Sequence, residues 1–126
     1  MDFITASSGQ PPAGHYSQAI VHGGVVYCSG VLGKDPSNPD AAPGDAGAQT
    51  RQALKNIATV LGAAGTDLNH VVRMIIYVSG IEHWPAVNEA YAEVMGDHRP
   101  TRAIVPVGDF DGGWTVEAVA TAVLPE

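Results

Sequence analysis

The chain has 126 residues, 45% of them apolar and 15% charged, which suits one globular domain and leaves no room for two. Its formal net charge is −7, and its six basic residues are scattered, so no clustered cation patch is present to neutralise nucleic-acid phosphates. A single cysteine, Cys28, excludes an intrachain disulfide and a cysteine-rich zinc site.

In chain order, "MDFITASSGQ" has neither a basic start nor a long apolar segment, and no stretch approaches membrane-spanning length. The expectation is a soluble, cytoplasmic protein with no membrane partner. "SQAIVHGGVVYCSG" places Gly23-Gly24 between β-branched residues and predicts a hairpin. "GKDPSNPDAAPGDAG" holds three prolines and three glycines and reads as a loop, its aspartates Asp35, Asp40 and Asp45 serving to solvate it. Residues 46 to 64 follow as a helix. Leu54, Ile57, Ala58 and Leu61 form its apolar face, Gln52, Lys55, Asn56 and Thr59 face water, and Gly65 stands at a left-handed cap.

"VVRMIIYV", 71 to 78, is the clearest strand, and its apolar run predicts burial on both faces. "EHWPAVNEAYAEVMG" predicts a second helix, with Pro85 in its first turn and Trp84, Val87, Tyr91 and Val94 recurring at helical spacing; Trp84 is assigned to the core. Two strands close the chain, "TRAIVPV" and "WTVEAVATAV", around "GDFDGG". The order β-β-α-β-α-β-β indicates an α+β fold, one mixed sheet with two helices on one face. Val116, Ala118, Ala120 and Ala122 alternate with Val119 and Val123, so both faces of the last strand are apolar. Two helices cannot cover both, which predicts an oligomer with sheet faces buried between subunits.

Arg102 is the anomaly. It sits in an apolar run with no acidic residue closer than Asp97. If the last two strands pair as a hairpin about residues 110 and 111, Arg102 falls opposite residue 118 or 119 and Glu117 becomes its neighbour. A cross-strand ion pair of purely structural value is the plain reading. The alternative is a small-anion site, in which the guanidinium grips a carboxylate through two parallel hydrogen bonds and the glutamate handles water.

Other polar residues carry less. His15, His22, His70, His83 and His98 show no paired metal-ligand spacing. Cys28 reads as a buried small residue rather than a nucleophile.

"PTRAIVPVGDFDGGWTVEA" resembles the signature of the RidA (YjgF/YER057c/UK114) family. "GHYSQAI", "VYCSGVLGKDP", "QTRQALKNIATVLGAAGTDLNHVVRMIIYV" and "VNEAY" agree in order, so the resemblance spans nearly the whole chain as one domain, 1–126. It implies a chorismate-mutase-like α+β fold and a homotrimeric barrel with clefts between subunits. It also implies hydrolysis of reactive 2-imino or 2-enamino acids to 2-oxo acids and ammonia, without a cofactor. Under it, Arg102 holds the substrate carboxylate and Glu117 positions or activates water. Tyr16 lines the cleft and Gly30 offers backbone contact near the imine. Ile104 stands where many relatives have cysteine and contributes backbone alone. The departures at Ile104, Val31, Phe110, Trp114 and Ala118 bear on substrate range. They leave open an aminomuconate-type enamine, or a non-enzymatic trimer that binds metabolites or acts as a chaperone. RNA cleavage, also attached to the family name, conflicts with the acidic charge.

Overall fold

Hydrogen-bond pairing places the last two strands apart, with another strand between them. The computed structural model describes residues 1–126. The strands are β1 (Asp2–Ile4), β2 (Ala19–His22), β3 (Val25–Cys28), the short β4 (Val31–Leu32), β5 (Val71–Val78), β6 (Thr101–Pro106) and β7 (Val116–Val123). The helices are α1 (Ala46–Ala64) and α2 (Trp84–Met95). One mixed sheet runs β1-β2-β3-β7-β5-β6, with β4 also on β7. β5 and β6 are parallel across α2, while β7 pairs antiparallel with β5 and β3.

The predicted β6–β7 hairpin is therefore absent. A helix between two strands favours a parallel crossover, so β5 takes β6 as its neighbour on one side and β7 on the other. Arg102 lies beside Met74, and Glu117 beside Tyr77. Met74 and Tyr77 are three residues apart on one strand, so their side chains leave opposite faces of the sheet. Arg102 and Glu117 consequently point to opposite faces.

Local signals worked where they were local. Gly23 and Gly24 both take positive φ (59° and 79°) at the β2–β3 turn, and Gly65 (φ 91°) closes α1. Asp45 does more than solvate its loop: its side chain accepts from Ala48 N–H at 2.8 Å and caps α1. Leu54, Ile57 and Leu61 of α1 are fully buried, each worth roughly 1.5–3 kcal/mol against exposure. Asn56 does not face water. It is buried, and its Nδ2 donates to the Leu32 and Lys34 carbonyls at 3.1 and 2.7 Å, tying α1 to the β4 segment.

The helices cover one face, where Met74, Ile76, Val78, Val116, Ala118, Ala120 and Ala122 are buried. β5 is thus buried on one face only within the chain, and Val72 is 46% exposed. On the bare face, pairing aligns Phe3, Ile20 and Tyr27 in one row, and Val105, Tyr77 and Glu117 in another. Trp84 is no core residue: α2 turns Val87 and Tyr91 inward and leaves Trp84 38% exposed beside Arg102.

Candidate functional site

β6 is an edge strand, and its position exposes backbone as well as side chains. Val107 N–H donates to the Val78 carbonyl on β5 at 2.8 Å. Successive N–H groups of a strand point to alternate edges, so those of Arg102 and Ile104 face the free edge. Pro106, which has no N–H, occupies the next such position, where no ladder bond is lost. Ile104 packs its side chain against the core.

The Arg102 side chain is half-buried on the helix face. Its Nη1 donates to Asn88 Oδ1 at 2.8 Å. The guanidinium carbon lies 4.9 Å from the Tyr91 ring centre and 5.9 Å from that of Trp84. Ion pairs within 4 Å join Arg51 to Glu93, His70 to Asp67 and His83 to Glu82, so no carboxylate of its own chain neutralises Arg102. Asn88, Tyr91 and Trp84 orient the fork without cancelling its charge. Burial raises the Tyr91 phenol above its ordinary range, with Arg102 opposing, so the ring beside the cation stays neutral. Asn88, Tyr91 and Arg102 border a cleft of about 480 Å³, within the size range of small-ligand sites.

Glu117 belongs to a second, smaller pocket of about 140 Å³ that also takes in Tyr16, Ser29, Gly30 and Lys34. Gly30 presses on the carboxylate: a Cβ there would come 2.8 Å from Glu117 Oε1. Ser29 fastens the preceding loop, its N–H donating to the Gln18 carbonyl at 2.9 Å and its hydroxyl to the Ser17 carbonyl at 2.6 Å. Gln18 Nε2 donates to the Gln10 carbonyl at 2.7 Å. The Tyr16 hydroxyl accepts from Ala13 N–H at 3.1 Å. Tyr16, Gly30 and Glu117 are thus assembled together, whereas Arg102 lies on another cleft and Ile104, two residues further along the same strand, packs against the core. Asn88 and Tyr91 are not expected at the site from sequence: Tyr91 reads only as part of the helical stripe, and Asn88 only within "VNEAY". Asn88 was discoverable as a polar residue on the helical stripe that also carries Trp84, Val87 and Tyr91.

The chain is thus an α+β protein with helices on one sheet face, a bare opposite face and an unneutralised arginine on its edge strand. The comparisons narrow that class. Residues 7–124 match the family Endoribonuclease L-PSP. The chain is 35% identical over 120 residues to the 2-iminobutanoate/2-iminopropanoate deaminase of Rattus norvegicus, covering 95% of this chain and 88% of that one. It is likewise 35% identical over 121 residues to a RutC family protein of Pyrococcus horikoshii, covering 96% of each. The crystal structure of RidA from an Antarctic Psychrobacter species superposes with a TM-score of 0.91 at 31% identity, covering 98% of this chain and all of that one. The chain belongs to the Endoribonuclease L-PSP family, the RidA/YjgF family that its motifs resemble.

Proposed function

We propose that this protein hydrolyses reactive 2-imino and 2-enamino acids to 2-oxo acids and ammonia, at sites completed by two protomers. The observation that carries the reading is Arg102: a guanidinium positioned by neutral groups, unneutralised within its chain, on an open edge that also offers backbone N–H donors. A carboxylate there takes two charge-assisted hydrogen bonds, worth about 1.5–3 kcal/mol apiece. Relatives named for this deaminase activity support it.

Arg102 and Glu117 leave opposite faces of one sheet, so a single chain cannot bring both to one substrate. A second protomer set against the β6 edge supplies Glu117, Tyr16 and Gly30. Trimeric closure, implied by the family, also covers the apolar bare face. Glu117 accepts a proton from water as its oxygen bonds to C2, and the C=N π pair moves onto nitrogen. Glu117 returns that proton to the nitrogen, and the proton of the new C2 hydroxyl follows as the C–N bond breaks, so that ammonia leaves and the carbonyl forms. Orientation and one proton relay suffice for so reactive an electrophile. No cofactor enters this scheme.

The test is ammonia release from freshly generated 2-aminoacrylate. Arg102→Ala lowers kcat/KM by at least about 100-fold, the loss of two charged hydrogen bonds. Full activity in that variant rejects the assignment. Saturable binding of 2-oxo acids without turnover by the unaltered protein favours a metabolite-binding role instead. A net charge of −7 weighs against RNA as substrate.

A further inference from the structure

The cleft beside Arg102 holds a second arginine. Arg99, His98, Asn88 and Tyr91 line it with Arg102, and its nine lining residues include no aspartate or glutamate. Two of the chain's six Lys and Arg residues thus share one cavity on a molecule of net charge −7. Arg99 is exposed and, like Arg102, has no carboxylate within 4 Å. His98 is fixed at the cleft wall by its Nε2, which meets the Val71 carbonyl at 2.7 Å and so carries the proton on that nitrogen. The Tyr91 hydroxyl is buried and has no hydrogen-bond partner in the chain, leaving a further polar group beside the cations unpaired.

A monocarboxylate pairs with one guanidinium and leaves the other facing it. A ligand with two acid groups satisfies both. We infer that the cleft selects 2-imino and 2-oxo acids bearing a second carboxylate, with Arg102 gripping the acid next to the reacting carbon and Arg99 reading the distal one. The orientation rests on the deaminase reading; the selection does not. Arg99 is then a specificity-determining residue on the loop entering β6, where Pro100 separates it from the strand.

Titration calorimetry with 2-oxoglutarate and 2-oxobutanoate tests the selection without turnover. The dicarboxylate binds the unaltered protein about tenfold more tightly or better, the scale of one added charge-assisted contact. In Arg99→Gln that ratio falls to within about twofold, and Arg99→Lys retains part of it, since an ammonium keeps the charge but loses the fork. Equal affinities in the unaltered protein, absence of 2-oxoglutarate binding, or a preference that survives Arg99→Gln each overturns the inference. Ammonia release is followed in parallel from 2-iminoglutarate and 2-iminobutanoate. Tight dicarboxylate binding with no turnover of either imine overturns the deaminase reading and leaves the selection standing.

Discussion

Arg102 shows how a cation is kept available in a half-buried place. A carboxylate partner would orient it but also cancel it; Asn88 orients it through one neutral bond at 2.8 Å, and Tyr91 supports it from below. Asn88→Ala therefore raises KM more than it lowers kcat, because the fork loses its aim but not its charge. Arg102→Lys, which keeps the charge without the fork, falls roughly 10- to 100-fold in kcat/KM; steady-state kinetics on 2-aminoacrylate checks both. Cys28 offers a prediction of another kind. Burial pushes its thiol from an ordinary 9.0 up to about 12. The folded state thus retains a proton that the unfolded chain has lost. The stabilisation is complete below pH 9 and declines as pH rises towards 12. Urea melts across that range show the decline, and Cys28→Ala reduces its slope; an identical slope in both proteins contradicts the assignment.

At the scale of elements, the junction of α1 with the sheet carries the architecture of the Glu117 side. Gln49, buried in the first turns of α1, donates to the Gly44 carbonyl at 2.7 Å and accepts from Thr115 and Val116 N–H at 2.9 and 3.2 Å. That one side chain fixes where β7 begins, one residue before Glu117. Gly33 completes the junction, because a Cβ there would lie 2.3 Å from the Gln49 carbonyl oxygen and 2.7 Å from its Cα. Backbone on a helix cannot step aside as a side-chain tip can. Gly33→Ala is expected to cost about 2–4 kcal/mol, read as a lower urea midpoint at unchanged m-value. Gly30→Ala meets only the Glu117 carboxylate, which can swing away. It therefore lowers kcat while leaving the unfolding free energy within about 0.5 kcal/mol of the unaltered protein.

For the whole molecule, the proposed site calls for a neighbouring copy, because Arg102 and Glu117 leave opposite faces of the sheet, and the bare sheet face offers a surface to seat one. Sedimentation should report three times the 13.0 kDa chain. A composite site has a sharper consequence. Arg102→Ala and Glu117→Gln are each inactive alone. If each site joins Arg102 of one protomer to Glu117 of the next, random 1:1 mixed trimers regain about one quarter of full activity, the chance that a site draws both intact residues. Co-expression and ammonia assay measure this directly, and activity no higher than either variant alone refutes a shared site.

The amino-acid order alone determined the elements whose causes lie within a few residues. α1 begins at Ala46 and ends at Ala64 as its apolar spacing and Gly65 indicate, and Gly23-Gly24 turns the first hairpin. It also marked Arg102, Glu117, Tyr16 and Gly30 as residues of interest, through their motifs. Which of them stand together was decided by strand order. Nothing local to "GDFDGG" reveals that β5 comes between β6 and β7, since that order follows from the parallel β5–α2–β6 crossover and from the antiparallel pairing of β7 with the other edge of β5. Asn56 and Trp84 exchanged their expected environments for the same reason: helical spacing defines a stripe, but only packing against the sheet selects which edge of it is buried. Local chemistry is written in neighbours along the chain. Which face a strand residue leaves, and which residues meet, depends on contacts between distant segments, where loop length and sheet order decide.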